Sequence, residues 1–335
     1  MFRMSKTVYV QDYYTVIEQF YNGVVEPKMQ LEEFITKKDE IIQGIKDGAF
    51  QPAMLEKDEI IYHYTSLDGL KAILDSGVMQ ITDFHYLNDE TEFQYMDELL
   101  FKIIREEFGG TPSGDSLIAS VIEYRLTVRA KSENLMDSYC VLSFSQQQDN
   151  LTLWAEFASY GCNMGVKPDF FLKEYGDMRY IGPVIYDVEE QKEMILKAIR
   201  VVMEYFFPEV SEECPLRGYL KLADEQQVRL LAVPIVELVS YYGMVMKNPL
   251  YKAENECRMV FSIGEQRIRY KRKKNLFVPY IEVPLNMDDG FAGLRSVTLA
   301  PLCRGTLERN SLEQYLRSLG IKGTEVKQSE IVLRY

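Results

Sequence analysis

The sequence predicts an α+β protein in which one sheet is assembled from distant parts of the chain. Stretches of alternating β-branched and aromatic residues fall into early, middle and late groups. Long amphipathic helical patterns separate these groups. Because no internal repeat or low-complexity linker divides the chain, we expect the helices to be inserted into a single sheet domain.

The best-marked elements lie in the early group. Residues Ile60 to Thr65 alternate as a strand, and either Thr65 or Ser66 can cap the helix that follows. Gly77 is placed to end this helix. Val78 to Thr82 then resumes as a strand, so the segment predicts strand, helix and strand in succession.

The middle group contains a second strand followed by a helix. Tyr139 to Ser145 alternates as a strand, and Asp149 or Asn150 can cap the helix that carries the single tryptophan, Trp154. Further strands are predicted over Arg179 to Asp187, Glu256 to Ile263, Leu276 to Val283, Ser296 to Leu299 and Thr324 to Tyr335, and a late helix over Leu307 to Leu319.

The helical patterns predict two additions to the sheet. Residues 1–55 predict an N-terminal helical extension, either a separate lobe or a hairpin packed on the main core. Residues 56–335 predict a single α+β domain with a helical insert at about 188–247, in which Pro234 marks a break or a new helix start.

Composition and charge narrow the classes of function. With 335 residues, 47% of them hydrophobic, the chain can bury a substantial core. A net charge of -13 disfavours general nucleic-acid affinity, because phosphate backbones are bound through Lys and Arg. The basic loop from Arg267 to Lys274 is the exception, either as a solvated hairpin tip or as a contact for a polyanion.

Cysteine usage and hydropathy predict a cytoplasmic protein without a membrane partner. The five cysteines are odd in number and widely spaced, which indicates neither a disulfide framework nor a zinc site. No stretch predicts a membrane span or a signal peptide. Ser143 and Ser145 lack the G-x-S-x-G setting of a serine hydrolase, and Walker and Rossmann glycine patterns are absent from the sequence. Metal-dependent nucleic-acid hydrolysis would require a carboxylate cluster that the sequence does not assemble, so no metal is expected.

The two histidines are the first candidates for chemistry. His63 is predicted at the end of a strand directly before a capped helix, where backbone donors and the positive end of the helix dipole gather. This position favours a site over a satisfied core histidine, although both interpretations stay open. His85 lies beside a turn, and packing or hydrogen bonding explains it equally well.

A second candidate set precedes and begins a late strand. If that strand includes Glu254, its side chain and those of Glu256 and Arg258 point the same way. Arg258 can then hold one carboxylate ionised while the other orients a substrate hydroxyl. An ordinary surface salt-bridge ladder explains the same spacing.

Four sequence blocks also occur in order along the chain. They are Tyr62-His63-Tyr64-Thr65-Ser66 with Leu87-Asn88-Asp89, Leu142-Ser143-Phe144-Ser145 with Leu153-Trp154, Val184-Ile185-Tyr186, and Glu254-Asn255-Glu256-Cys257-Arg258. Together they resemble the prokaryotic domain of unknown function numbered 2971, over roughly residues 58 to 335. That family usually has tryptophan where this chain has Cys257, a departure that concerns packing beside the site.

The strand ending in His-x-Thr and its short helix also resemble the first motif of the ADP-ribosyltransferase superfamily, including its DNA-modifying toxins. This resemblance implies a mixed, mainly antiparallel sheet core. It implies that His63 binds a ribose hydroxyl of NAD and that Phe144 and Ser145 lie near the nicotinamide. A late-strand glutamate, Glu256 or Glu254, completes the implied catalytic set. The remaining implied NAD contacts are Tyr64, Thr65, Trp154 and Arg258.

The function implied by the resemblance is transfer of ADP-ribose from NAD, as substrate, to a protein or nucleic-acid acceptor, in phage defence or a toxin system. Nicotinamide would leave through an oxocarbenium-like transition state while Glu256 polarises the ribose 2′-hydroxyl or the acceptor. Charge stabilisation and positioning would supply most of the rate. The alternative is a non-catalytic ligand-binding or sensing module on the same scaffold, in which the charged ladder is purely structural.

Overall fold

A computed structural model of the chain describes residues 17–18, 21–22, 30–44, 54–87, 91–131, 139–171, 178–211, 213–262, 268–287 and 290–332. The strands are β1 Ile61–Thr65, β2 Val78–Asp83, β3 Tyr139–Ser145, β4 Cys162–Val166, β5 Met178–Pro183, β6 Glu256–Ser262, β7 Arg269–Lys273, β8 Leu276–Pro284, β9 Leu294–Leu299 and β10 Glu325–Gln328. The helices are α1 Leu31–Gly44, α2 Leu67–Ser76, α3 Glu92–Phe108, α4 Pro112–Lys131, α5 Leu151–Phe157, α6 Val188–Phe206, α7 Leu216–Leu220, α8 Glu225–Gly243 and α9 Thr306–Ser318.

The chain divides into a helical unit and a sheet unit. The helical unit comprises Met1–Pro52, Asp89–Ser138 and Ile185–Pro249, and the sheet unit comprises Ala53–Asn88, Tyr139–Val184 and Leu250–Tyr335. The insert expected at about 188–247 therefore falls in the helical unit, together with Asp89–Ser138. The expected domain boundary between residues 55 and 56 stays a prediction, and most of the expected N-terminal extension lies outside the described residues.

The centre of the helical unit is α8, which packs against α1, α3, α4 and α6. Its buried residues occur on every side of the helix, as is typical of a core helix. The helix also continues through Pro234, so the break expected there is wrong. Since α8 is enclosed by four other helices, their packing holds it together despite the hydrogen bond that proline cannot make.

A buried ionic network joins three helices of this unit. Lys38 of α1 is 1% exposed, and its Nζ lies 3.3 Å from a carboxylate oxygen of Glu237 on α8 and 2.8 Å from one of Asp39. The hydroxyl of Tyr124 on α4 donates to Glu237 at 3.1 Å. Burial by itself lowers the pKa of Lys38, but its two carboxylate partners outweigh burial and raise that pKa. Lys38 therefore stays charged inside the unit.

The sheet unit contains the mixed, mainly antiparallel sheet. Its strand order is β10-β9-β4-β1-β3-β2-β8-β7, with β6 paired to β3 and β5 paired to β6. Among the described strands, every pairing is antiparallel except that of β9 with β10. The expectation of an α+β fold with a mainly antiparallel sheet and several helices is therefore confirmed. β4 was not predicted, and β7 occupies part of the expected basic loop.

The sheet forks at β3. The whole length of β3 pairs with β6 along one edge, so β1 and β2 must share its other edge. There Tyr62 of β1 lies opposite Ser145, whereas Thr82 of β2 lies opposite Val141. Between these two contacts no described strand pairs with β3. The sheet consequently parts into a β1 wing (β1, β4, β9 and β10) and a β2 wing (β2, β8 and β7).

One face of this sheet carries the hydrophobic core. On β3 and β6 the alternate residues Leu142, Phe144, Cys257 and Met259 belong to it. The buried leucines of α2 and α9 join the same core. The opposite face of β3 and β6 carries Ser143, Ser145, Glu256 and Arg258 instead, because side chains alternate along a strand. Within the described residues, no helix has the length and apolar character that crossing a bilayer requires.

Lys38→Ala should lower the free energy of unfolding of the helical unit by about 3 kcal/mol, because it removes a buried cation from Glu237, whose side chain is only 15% exposed. Lys37→Ala is the matched control, since that neighbouring lysine makes an exposed pair with Glu33 and should change stability by less than about 1 kcal/mol. Urea unfolding followed by far-UV circular dichroism measures both variants. Equal effects of the two substitutions would contradict the importance of the buried network.

Candidate functional site

The junction of β1 with α2 is fixed by its caps. Ser66 Oγ accepts a hydrogen bond from the Gly69 backbone N–H at 3.0 Å, so Ser66 is the N-cap of α2. Gly77 ends the helix with φ 66°, as its position in the sequence predicts. Beside this junction Gly161 approaches the Thr65 carbonyl so closely that an added Cβ would lie 2.2 Å from the oxygen. This contact requires glycine.

His63 occupies the fork between the two wings. Its Nδ1 lies 3.1 Å from the carbonyl oxygen of Ser143, at the part of the β3 edge that β1 and β2 leave open. A carbonyl can only accept, so Nδ1 carries the proton. The ring also packs edge-on against Phe144 with centroids 5.8 Å apart. His63 thus supplies a donor where the strand ladder has none.

The surroundings of His63 favour the neutral ring. Burial lowers the pKa of His63 below 6.5, and the positive charge of Lys271 adds to this effect. The hydrogen bond to Ser143 acts in the opposite direction without reversing the shift. With Nδ1 protonated in a neutral ring, Nε2 carries a lone pair and can accept a hydrogen bond.

The other histidine has a local structural partner. His85 Nδ1 and the His85 backbone N–H both lie 2.9 Å from Oδ1 of Asp83, the N-cap of the short 3-10 helix Phe84–Tyr86. This geometry agrees with the hydrogen-bonding interpretation of His85.

The second junction, from β3 to α5, is pinned to the segment before β6. Asn150 caps α5 by accepting from the backbone N–H groups of Thr152 and Leu153. Its Nδ2 donates to the Ala253 carbonyl at 2.6 Å. Ser145 is 1% exposed and donates to the Glu254 carbonyl at 2.8 Å. The hydroxyl of Ser145 therefore holds two distant parts of the chain together.

Tyr64 and Trp154 support the same junction. Their rings meet edge-on with centroids 4.7 Å apart, and Trp154 is 1% exposed. The Tyr64 hydroxyl donates to the Gln147 carbonyl at 2.9 Å and accepts from the Asn150 backbone N–H at 3.0 Å. Burial raises the pKa of Tyr64, so its hydroxyl stays protonated. Trp154 is accordingly packed in the core, while Tyr64 is half-buried.

Glu256 and Arg258 form a buried ion pair. Arg258 donates to Glu256 through Nε at 2.8 Å and through Nη2 at 3.1 Å, and the two residues are 5% and 1% exposed. The guanidinium carbon also lies 5.7 Å from the centre of the Phe84 ring. Because both charges are enclosed, the pair is not a surface ladder. Two parallel charge-assisted bonds hold the carboxylate in one orientation.

Glu254 does not belong to the strand. It ends the short 3-10 helix Pro249–Glu254, and Asn255 then adopts a left-handed conformation with φ 45° before β6 begins. Strand alternation therefore stops at Glu256, and the expectation that Glu254 would share one strand face with Glu256 and Arg258 is wrong. The side chain of Glu254 is half-buried.

The strand register shows which candidates share a face. Tyr62, Ser145 and Glu256 lie opposite one another across β1, β3 and β6, so their side chains share one face. His63, next along β1, points the other way and meets Phe144. The structure thus brings together Tyr64, Ser145, Glu256 and Arg258 on one face, and places His63 with Phe144 on the core side of the fork. Cys257 is fully buried opposite Phe144.

Sequence reasoning missed a polar stripe on the β1 wing. Asn163 of β4 is 0% exposed and lies between Tyr64 of β1 and Thr298 of β9. Its Nδ2 donates to the Gln148 carbonyl at 2.5 Å, whereas its Oδ1 has no hydrogen-bond partner among the described residues. An unpaired buried acceptor is costly, so a water or a ligand donor would stabilise it. The signal in the sequence that could have revealed this stripe was a polar residue, Asn163, in the otherwise apolar segment Cys162–Val166.

No family model, curated protein or solved structure matches this chain. The resemblances to the domain of unknown function 2971 and to ADP-ribosyltransferases therefore stay predictions. In the part of the chain that the structure describes, no group of three or more His, Cys, Asp or Glu side chains is placed to hold a metal ion.

Arg258→Met should destabilise the sheet unit by about 3–5 kcal/mol, because it keeps much of the side-chain volume and leaves Glu256 buried without its cation. Arg269→Met is the control, since Arg269 pairs with Glu282 at the surface and its removal should cost less than about 1 kcal/mol. The single tryptophan, Trp154, lies in the sheet unit, so urea unfolding followed by its fluorescence measures both variants. Similar small losses for both arginines would refute the enclosed pair.

His63→Asn tests the pH dependence of the fork. Because the folded protein holds the pKa of His63 below 6.5, the unfolded chain binds more protons below that pH, and the stability contributed by His63 declines as pH falls. The difference in unfolding free energy between wild type and His63→Asn should therefore be constant above about pH 7 and shift against wild type at lower pH. A difference that does not change with pH would count against the lowered pKa.

Proposed function

We propose that this protein is an NAD-dependent ADP-ribosyltransferase-like enzyme in which His63 accepts a hydrogen bond from a ribose hydroxyl. The observation that carries the proposal is the fixed tautomer of His63. Nδ1–H is committed to the Ser143 carbonyl and burial keeps the ring neutral. Nε2 is then an acceptor, which is the group that a hydroxyl donor requires.

The position of His63 also supports a role with a nucleotide. It lies two residues before Thr65, at the end of β1, and α2 begins directly afterwards. The N-terminal turn of a ten-residue helix presents backbone N–H groups and the positive end of a dipole, which suit a pyrophosphate.

The two glutamates take different parts in this proposal. Glu256 is held in one orientation by two hydrogen bonds from Arg258, so its carboxylate is already engaged within the protein. Glu254 lies outside the strand and is only half-buried, which leaves it more accessible to a substrate hydroxyl. The strand register places Glu256 on the opposite face of the sheet from His63. The proposal therefore assigns polarisation of the ribose 2′-hydroxyl or the acceptor to Glu254, and positioning and charge supply the rate.

A non-catalytic ligand-binding module is the second candidate function. The observation that favours it is the engagement of Ser145, Glu256 and Arg258 in contacts within the protein. Such a module would bind the nucleotide at the fork without cleaving it. Binding and turnover therefore have to be measured separately.

His63→Asn should weaken NAD binding about fivefold while preserving the fold. Asparagine can place an amide N–H near the position of Nδ1 and keep the bond to Ser143, but it has no equivalent of Nε2, and one hydrogen bond is worth roughly 1 kcal/mol. Calorimetry with NAD measures the loss, and His85→Asn, the same change at the other histidine, should bind NAD as wild type does. Failure of the wild-type protein to bind NAD would refute both candidate functions.

Release of nicotinamide separates the enzyme from the binding module. Wild type incubated with NAD and with protein, DNA and RNA acceptors should release nicotinamide, and Glu254→Gln and Glu256→Gln should show which carboxylate the reaction needs. Chromatography of nicotinamide and labelling of the acceptor measure this activity. NAD binding without release in any of these mixtures would establish the module in place of the enzyme.

A further inference from the structure

The β7–β8 hairpin is an exposed basic and aromatic surface at the end of the sheet. Five of the six residues from Arg269 to Lys274 are basic, although the whole chain has a net charge of -13. The side chains of Tyr270 and Phe277 are 61% and 72% exposed. Arg267, which the sequence groups with this run, lies outside the described residues.

The register interleaves rings and charge on one face of the hairpin. Arg272 lies directly opposite Phe277, and Tyr270 lies two residues before Arg272 on β7. Tyr270, Arg272 and Phe277 therefore project from the same face, with the rings about 7 Å apart along the strands. Lys273, on the other face, and Lys274, in the turn, are both exposed at the hairpin tip.

The basic residues of the hairpin differ in their exposure and contacts. Arg269 pairs with Glu282 at 3.0 Å, and Lys271 is half-buried with its Nζ 5.3 Å from the centre of the Tyr280 ring. Arg272, Lys273 and Lys274 are exposed, with Arg272 Nε donating to the Lys274 carbonyl, so the charge that faces solvent comes chiefly from these three residues. A small, dense positive surface on an acidic protein attracts a polyanion locally while the rest of the chain repels it.

Protection of a sheet edge does not account for this composition. β7 is the last strand of the order, and lysines on such edges prevent pairing with other chains. That role explains the basic residues but not the large exposed rings, which would favour aggregation. Exposed rings beside positive charge suit a molecule that offers flat apolar faces together with negative charge.

We propose that the β7–β8 hairpin binds single-stranded nucleic acid, with bases stacked on Tyr270 and Phe277 and phosphates held by Arg272, Lys273 and Lys274. Unpaired bases present π-faces next to a charged backbone, and stacking on aromatic side chains is the general means of holding them. A duplex hides those faces, and an acidic peptide has no ring to stack. This surface does not require NAD, so the inference goes beyond the proposed enzyme.

Fluorescence anisotropy with labelled twenty-nucleotide oligo-dT and oligo-U tests the proposal on the full-length protein. Wild type should bind at least one of them, and binding should weaken as salt rises because phosphate contacts release counterions. Tyr270→Ala/Phe277→Ala should lose at least tenfold in affinity, since stacking on each ring contributes substantially. Arg272→Glu/Lys273→Glu should lose as much and flatten the salt dependence.

The matched control is Arg309→Glu/Arg317→Glu on α9, which makes the same change in net charge at two exposed arginines of the same unit. It should retain binding within about twofold to threefold. Far-UV circular dichroism and NAD binding should be unchanged in all the variants, so failure of the proposed enzyme and failure of this surface are distinguishable.

Several outcomes would overturn the inference. They are the absence of oligonucleotide binding by wild type, equal losses in the hairpin and α9 charge variants, and unchanged binding by Tyr270→Ala/Phe277→Ala. In a further such outcome, the protein binds a duplex, polyglutamate or anionic phospholipid vesicles more tightly than the single strands. That outcome would refute single-stranded nucleic acid as the partner of the hairpin.

Discussion

The hydrogen bond from His63 to the Ser143 carbonyl lies at the fork, where neither β1 nor β2 pairs with β3 among the described strands. β3 shares a single edge between β1 and β2, and the two wings part where neither strand reaches it. A strand carbonyl at the fork has no ladder donor, so a donor from a side chain favours this arrangement. By supplying the donor from a side chain, the protein keeps a fork in its sheet, and the same bond fixes the imidazole as a hydrogen-bond acceptor on its other nitrogen.

The two polar regions of the sheet unit differ in what they leave available. Around Ser145, Glu256 and Arg258 the polar atoms bind one another or the backbone, so this region is rigid and internally satisfied. On the other face of β1, Nε2 of His63 remains available as an acceptor. A ligand gains more from acceptors whose hydrogen bonds are still to be made, which is why the proposed nucleotide site is centred on β1 and α2.

Local signals in the sequence predicted the caps and the turns but not the burial. Ser66, Gly77 and Asn150 act where their chemistry indicated, because capping depends on a few neighbouring atoms. The prediction for Glu254 was wrong because Asn255, in a left-handed conformation, ends the alternation of side chains along the strand. The residue spacing does not reveal that backbone angle. A glutamate and an arginine two residues apart have the same spacing whether the pair is exposed or buried, so the sequence did not predict the burial of Glu256 and Arg258. Pro234 shows the reverse effect, in which packing by four helices overrides a local helix breaker.

The position of β3 between distant partners also sets the order in which the sheet can be completed. β6 covers its second edge, and Ser145 and Glu254, which join the two segments, are 109 residues apart. During synthesis β1 to β5 emerge first. The helices α6, α7 and α8 of the helical unit follow, and β6 emerges only after them. Until β6 emerges, β3 presents an unpaired edge made mostly of apolar residues. Closing the loop of about one hundred residues between β3 and β6 is slow. The nascent chain therefore carries this open edge of β3 until residue 262 has left the ribosome.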